Sequence, residues 1–198
     1  EMQRSLVGSE MCIRDRWNEW HFEYSLDWHL LDNEINRKTQ AFFQAANHFY
    51  LAQAPLWEED FSWEGFEWIY ADDSQANTIS FLRRDKKGNA LVVVCNFSPV
   101  DRTGYCVGVP AAGAYTCLFN TDDPAFGGEG RGDREAVKSQ YIPCHGREQS
   151  IVITLPPMSA VIYRCIRKKP ALKKKTALVK TDCLLYTSPS PRDYAASR

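Results

Sequence analysis

The chain has 198 residues, of which 44% are hydrophobic and 13% are aromatic, and its formal net charge at pH 7 is −1. This composition is typical of a globular protein and argues against a disordered one. A net charge near zero provides no overall field toward nucleic acid or a membrane, and no run of about 18 apolar residues could span a bilayer. We therefore expect neither nucleic acid nor a membrane among its partners.

The two ends of the chain are related to each other at the level of DNA. A DNA sequence that encodes residues 6–15 encodes residues 184–192 on its complementary strand. This DNA is similar to the adapter of transposon-based sequencing libraries. We therefore predict that residues 1–16 and 182–198 are adapter-derived and disordered, and we exclude them from the fold, as one excludes expression scars. Natural disordered tails are the alternative.

Residues 17–54 are predicted to form a structured loop followed by one helix. The loop, residues 17–31, is aromatic and acidic and has no clear period. Asp32 is a suitable N-cap for a helix that runs to about residue 51. Apolar side chains recur every seven residues along this helix, at Ile35, Phe42 and Phe49. They form one apolar stripe, and Pro55 is expected to stop the helix.

Residues 67–166 are predicted to form an all-β domain, separated from the helix by an irregular linker at residues 55–66. Short runs of β-branched and aromatic residues alternate with turn residues. These runs are FEWIYAD, NTISFLRR, ALVVVCNF, YCVGVP, YTCLFN, SQYIPC, SIVITL and AVIYRCI. Residues 85–89 predict a hairpin turn between the second and third runs. About eight strands at this spacing indicate an antiparallel β-sandwich, so the predicted fold class is mainly β.

Residues 167–181 form a basic tail. Seven basic residues and no acidic residue lie between positions 167 and 180, whereas positions 17 to 82 hold twelve acidic and two basic residues. A run of this kind is usually a solvated tail, although it could bind an anionic surface.

Seven cysteines are present, and none belongs to a C-x-x-C pair. No histidine lies at zinc-ligand spacing from a cysteine pair, so we expect no metal, and no cofactor motif occurs. Most of the cysteines fall within apolar strand-like runs, where a free cysteine behaves as a small hydrophobe. We expect reduced, buried thiols and a cytoplasmic protein.

Six tryptophans lie within about fifty residues of one another and are the strongest candidates for a binding surface. They are Trp17, Trp20, Trp28, Trp57, Trp63 and Trp68. An indole ring can stack on a sugar while its N–H binds a hydroxyl, but indoles also seal domain interfaces. We favour interface packing for the last three and leave both roles open for the first three.

Seven short motifs follow one another in a specific order: WNEW, SLDWHLLD, GFEWI, NFSPV, FGGEG, HGRE and LPPMSAVIY. Together they resemble the C-terminal third or less of 1,4-alpha-glucan branching enzymes, and the resemblance covers residues 17 to about 166. It implies a truncated (β/α)8 barrel of the alpha-amylase type, of which residues 17–54 would be the last loop and helix. A C-terminal β-sandwich would follow.

The resemblance also implies an activity in glycogen or starch biosynthesis. An α-1,4 glucan bond is cleaved with retention through a covalent intermediate on an aspartate, and the chain is transferred to a 6-hydroxyl. The catalytic carboxylates of the family lie upstream of the matched region, so no catalytic residue is assigned here. The implied partners are an α-glucan and the upstream barrel. Trp17, Trp20, Asp27 and Trp28 are the substrate-binding candidates, because this loop would border the glucan cleft.

Two other functions are compatible with the same sequence. The chain could be a freestanding carbohydrate-binding module, or a structural β-sandwich that mediates interactions. A module would start at its first strand, whereas an aromatic loop and a helix precede the strands here. This difference favours the branching enzyme.

Overall fold

The computed structural model describes Glu23 and residues 28–166, and the predictions for residues 1–16, 167–181 and 182–198 lie outside them. Within the described residues, a short 3-10 helix, Trp28–Asp32, precedes helix α1, Glu34–Ala52. All strands follow this helix along the chain.

Eight strands form two antiparallel sheets in the described part of the chain. Their bounds are Phe66–Asp73 for β1, Thr78–Arg84 for β2, Ala90–Asn96 for β3, Arg102–Val109 for β4, Ala114–Asn120 for β5, Val137–Lys138 for β6, Gln149–Leu155 for β7 and Ser159–Ile166 for β8. One sheet has the order β1-β2-β3-β8-β5-β6, and the other pairs β4 with β7. The predicted mainly β fold, with antiparallel sheets and one α-helix, is confirmed.

The hydrophobic core takes side chains from both sheets. Its members are Ile69, Leu82, Val92, Val94, Val107, Val109, Tyr115, Ile151, Ile153, Leu155, Val161 and Tyr163. Successive side chains of a strand point to opposite faces, so these residues determine which face of each strand is turned inward. Complete burial of an aliphatic or aromatic side chain contributes about 1.5–3 kcal/mol each. The two sheets are therefore held together mainly by this layer.

Helix α1 begins one residue later than the sequence predicts. The side chain of Asn33 accepts a hydrogen bond from the N–H of Ile35 at 3.2 Å, so Asn33 is the N-cap. Asp32 ends the preceding 3-10 helix instead, and its prediction as the cap is wrong. The helix ends at Ala52, and Pro55 is buried in the short 3-10 turn that follows.

The predicted hairpin between β2 and β3 is confirmed. The carboxylate of Asp85 accepts hydrogen bonds from the backbone N–H of Asn89 at 2.7 Å and from its side-chain amide at 2.6 Å. Gly88 has a φ of +76°, a conformation that glycine adopts without strain.

The strand predicted over residues 139–144 is wrong. Gln140 and Cys144 form only isolated bridges, with Ser150 and Arg147 respectively, and the segment is otherwise irregular. Pro143 lacks the N–H that a ladder requires. A two-residue strand, Val137–Lys138, pairs with the start of β5 instead.

The five cysteines among the described residues are free thiols, and they are half-buried rather than buried as predicted. Two of them show the reason. Cys95 directly follows the core residue Val94, and Cys106 directly precedes the core residue Val107. Alternation along a strand then turns the thiol toward the outer face of its sheet.

Candidate functional site

Helix α1 packs against the larger sheet through an aromatic cluster. The ring centroid of Phe49 lies 5.0 Å from that of Phe119 on β5, and the ring of Phe42 lies 5.5 Å from that of Phe126. Ile35, the first residue of the predicted stripe, is 63% exposed. The stripe therefore faces the β-domain at its second and third positions and faces solvent at its first.

The glycine-rich loop after β5 presents Phe126 to the helix. The carboxylate of Asp122 accepts a hydrogen bond from the N–H of Arg131 at 2.8 Å, and its carbonyl oxygen accepts one from Gly130 at 2.7 Å. Gly130 has a φ of +72°, and a Cβ there would lie 2.9 Å from Pro124. Only glycine fits this position without strain. The FGGEG motif thus shapes the loop that supports the helix.

Arg83 anchors the segment between the helix and β1 to the larger sheet. It donates hydrogen bonds to the carbonyl oxygens of Pro55 at 3.3 Å and Leu56 at 2.9 Å, and to the carboxylate of Asp60 at 2.7 Å. Its neighbour Leu82 is in the core, so Arg83 lies on the outer face of β2. The segment predicted as an irregular linker is therefore attached to the sheet in its first half, at Pro55, Leu56 and Asp60.

The HGRE motif ties the loop before β7 to the edge strand β1. The ring of His145 stacks on Tyr70 with centroids 4.5 Å apart and an interplanar angle of 5°. Arg147 forms an ion pair with Glu67. Burial lowers the pKa of His145, which favours the neutral ring that stacks on Tyr70. These contacts give the motif a structural role.

An exposed aromatic surface lies along the chain from the end of the helix to β1. We define it by Trp57, Phe61, Trp63 and Trp68, of which Phe61 and Trp63 are 104% and 91% exposed. The indole N–H of Trp57 donates to the carbonyl oxygen of Leu51 at 3.3 Å, so its polar group is already satisfied. Contiguous patches of large apolar side chains in water are typical of interaction surfaces.

Only one of the four predicted substrate-binding residues is among the described residues. Trp28 begins the 3-10 helix and is 61% exposed. Trp17, Trp20 and Asp27 lie outside the described residues. Their assembly with Trp28 into one surface stays a prediction.

The carboxylates with shifted pKa values are held ionised by their neighbours. Burial would raise the pKa of Glu67, but hydrogen bonds from Arg84 and Arg147 outweigh it and lower the pKa. Burial would also raise the pKa of Asp85, but hydrogen bonds from Asn89 outweigh burial and lower it. An ionised carboxylate has no proton to give, so neither residue is suited to general-acid catalysis.

Among the described residues, no group of three or more metal-ligating side chains could hold an ion.

Sequence reasoning missed the residues that join the helix, and the segment after it, to the β-domain. Arg83 and Phe126 carry these contacts, and both occur in segments for which only local structure was predicted. Alternation along β2 could have placed Arg83 outside the core, because it follows Leu82. The partner of Phe126 could not have been found this way, since the contact with Phe42 spans distant parts of the chain.

Two antiparallel sheets around a shared core, with a helix and an anchored segment on the outer face, define the class as an all-β domain with an attached helix. The chain belongs to the family described as "Alpha amylase, C-terminal all-beta domain", whose profile matches residues 68–166. No helix of the described residues is long and apolar enough to cross a membrane.

Three curated relatives are similar over most of this chain. It is 45% identical over 149 residues to the 1,4-alpha-glucan branching enzyme GlgB of Aquifex aeolicus. The matched region covers 75% of this chain and 24% of that protein. It is 38% identical over 160 residues to proteins of the same name from Thermosynechococcus vestitus (80% and 21% covered) and Methylobacillus flagellatus (81% and 22%). The chain thus spans less than a quarter of the length of these relatives.

Proposed function

We propose that the chain is the C-terminal region of a 1,4-alpha-glucan branching enzyme. The intact protein would cleave an α-1,4 glucan and transfer the released chain to a 6-hydroxyl. The observation that carries this proposal is the extent of the similarity: identities of 38–45% continue over 149 to 160 residues, well beyond the family match at 68–166. A shared all-β domain alone would not account for that extent.

The chemistry would be performed by carboxylates elsewhere in the intact enzyme. Retaining transfer needs a carboxylate nucleophile and a protonated carboxylic acid about 5–5.5 Å apart. Glu67 is held between two arginines, and Asp85 caps a turn, so each has a structural partner that would be lost on protonation. Neither carboxylate is therefore suited to the reaction, and we propose that the catalytic residues lie outside this chain.

This chain would contribute an interface and one border of the substrate cleft. The aromatic surface would pack against the upstream barrel of the same polypeptide, because Phe61 and Trp63 have little contact with the described residues. Trp28, with Trp17, Trp20 and Asp27, would contact the α-glucan. Free thiols in the β-domain support a reducing, cytoplasmic location for the enzyme.

Glucan branching itself tests the proposal. A full-length protein that contains this region should lower the iodine absorbance of amylose and produce an α-1,6 signal by NMR, and the 198-residue chain should do neither. A full-length protein that hydrolyses amylose without forming α-1,6 bonds would contradict the assignment, as would branching by the 198-residue chain alone.

A carbohydrate-binding module is the second candidate, and the exposure of Phe61 and Trp63 is the observation in its favour. A module should bind maltoheptaose tightly without any other domain and should lose binding in a Trp63→Ala variant. If the chain is instead part of a branching enzyme, Trp63 would face the barrel in the intact protein. The Trp63→Ala substitution should then leave glucan binding by the isolated chain unchanged.

A further inference from the structure

Cys106 and Cys144 come together on the outer face of the smaller sheet. Cys106 precedes the core residue Val107 on β4, so its side chain points away from the core. The loop before β7 lies directly on this face, because a Cβ on Gly108 would be 2.3 Å from the carbonyl oxygen of Cys144. Glycine at position 108 is what allows the loop to approach the strand so closely.

The thiol of Cys144 contacts Cys106 in two ways. Its Sγ donates a hydrogen bond to the carbonyl oxygen of Cys106 at 3.4 Å, although the two residues are 38 positions apart in sequence. It also interacts with the side chain of Cys106. Both residues are half-buried, so a small oxidant can reach them.

We propose that Cys106 and Cys144 are a modification site that hydrogen peroxide converts into an intramolecular disulfide. The thiolate of Cys106 attacks one peroxide oxygen, the O–O bond breaks, and the leaving hydroxide takes a proton to form water, which leaves a sulfenic acid on Cys106. The sulfur of Cys144 then attacks the sulfur of Cys106, and the displaced hydroxide takes the thiol proton as a second water. Each sulfur loses one electron, and the peroxide gains two.

The environment of Cys144 assigns it the second step. Burial, together with the hydrogen bond to the Cys106 side chain, raises the pKa of the Cys144 thiol. Cys144 therefore keeps its proton at neutral pH and is a poor nucleophile toward free peroxide, since the thiolate is the reactive form. Its attack on Cys106 occurs within one chain, because its Sγ is held 3.4 Å from the Cys106 carbonyl oxygen, and its proton passes to the leaving hydroxide as the S–S bond forms.

The disulfide would strengthen the contact between the two sheets. The residues next to Cys144 include His145, which stacks on Tyr70, and Arg147, which pairs with Glu67 on the edge strand of the larger sheet. A covalent bond to β4 would attach this loop to the smaller sheet as well. The oxidised chain should consequently resist unfolding better than the reduced chain.

Peptide mapping of the full 198-residue chain after peroxide treatment tests the proposal. Trypsin should release the two cysteines on separate peptides, 103–131 and 139–147, which the disulfide would join. Peptide 103–131 also contains Cys117, so Cys117→Ser is the matched control. The cross-link should persist in Cys117→Ser and be lost in Cys106→Ser.

The order of the two steps has its own readout. Cys144→Ser should accumulate a sulfenic acid on Cys106 that dimedone labels, whereas Cys106→Ser should leave Cys144 largely unlabelled. Circular dichroism of each variant checks that it is folded. A cross-link that survives in Cys106→Ser overturns the proposal. So does a folded, peroxide-treated wild-type chain in which both peptides remain unlinked.

Discussion

The guanidinium of Arg83 on β2 donates a hydrogen bond to the carbonyl oxygen of Leu56 at 2.9 Å. This contact joins the segment after helix α1 to the outer face of the larger sheet. A partly buried carbonyl that loses its donor is costly, so the sheet and this segment stabilise each other. We expect the helix, the anchored segment and the two sheets to unfold together.

Replacing Arg83 with methionine should lower the free energy of unfolding by about 1.5–3 kcal/mol, the range for hydrogen bonds to charged groups. The side chain is only 14% exposed, so water would replace its contacts poorly. Urea denaturation measures the change. Lys86→Met is the matched control, since Lys86 is 64% exposed and its ion pair with Glu59 is long, at 3.5 Å. Equal midpoints for the two variants would contradict the anchoring role of Arg83.

Replacing Phe126 with alanine should loosen helix α1. Its ring contacts Phe42 at 5.5 Å and Phe119 at 5.8 Å, and burial of such a side chain contributes up to about 1.5–3 kcal/mol. The rate of hydrogen exchange should therefore increase more in α1 than in β3. Phe61→Ala removes an equal but fully exposed ring and should change nothing. Unaltered protection of α1 in Phe126→Ala would show that another contact holds the helix.

Acid should weaken the β2–β3 hairpin through Asp85. Hydrogen bonds from Asn89 lower its pKa below the ordinary value of 3.8 despite burial. A lowered pKa in the folded state gives stability that is complete above the unfolded pKa and is lost as pH falls through the folded one.

Asp85→Asn should therefore be less stable than the wild type at pH 6, and the gap should narrow as the pH approaches 3. Thermal unfolding across this range measures the gap. Asp72→Asn, at an exposed carboxylate of β1, should show no such convergence. A constant gap for Asp85→Asn would mean that its carboxylate charge does not stabilise the fold.

Maltoheptaose should bind the isolated chain weakly, and Trp28→Ala should weaken it further. An exposed indole can stack on glucose, but one border of a cleft lacks the preorganisation that affinity requires. Calorimetric titration of Trp28→Ala and Trp63→Ala separates the two surfaces. If only Trp63→Ala reduced binding, the glucan would bind the aromatic surface rather than Trp28.

Local patterns in the sequence were sufficient for most individual elements. The alternation of Val92 and Val94, the turn at residues 85–89 and the apolar repeat of Phe42 and Phe49 all depend on neighbours a few positions away. Such short-range periods predict a strand, a hairpin or a helix directly. They also predicted a strand at 139–144, where the chain forms only two isolated bridges and no continuous ladder.

The sequence by itself determined a mainly β domain, its order of strands along the chain and its resemblance to branching enzymes. Only the tertiary structure decided three contacts between distant parts of the chain. The ring of Phe42 contacts that of Phe126, Arg83 donates a hydrogen bond to Leu56, and the thiol of Cys144 donates one to Cys106. These contacts depend on which strands pair: β8 lies between β3 and β5 in one sheet, and β4 pairs with β7 in the other. Pairing between distant strands is selected by burial of the whole core, and no local period records it.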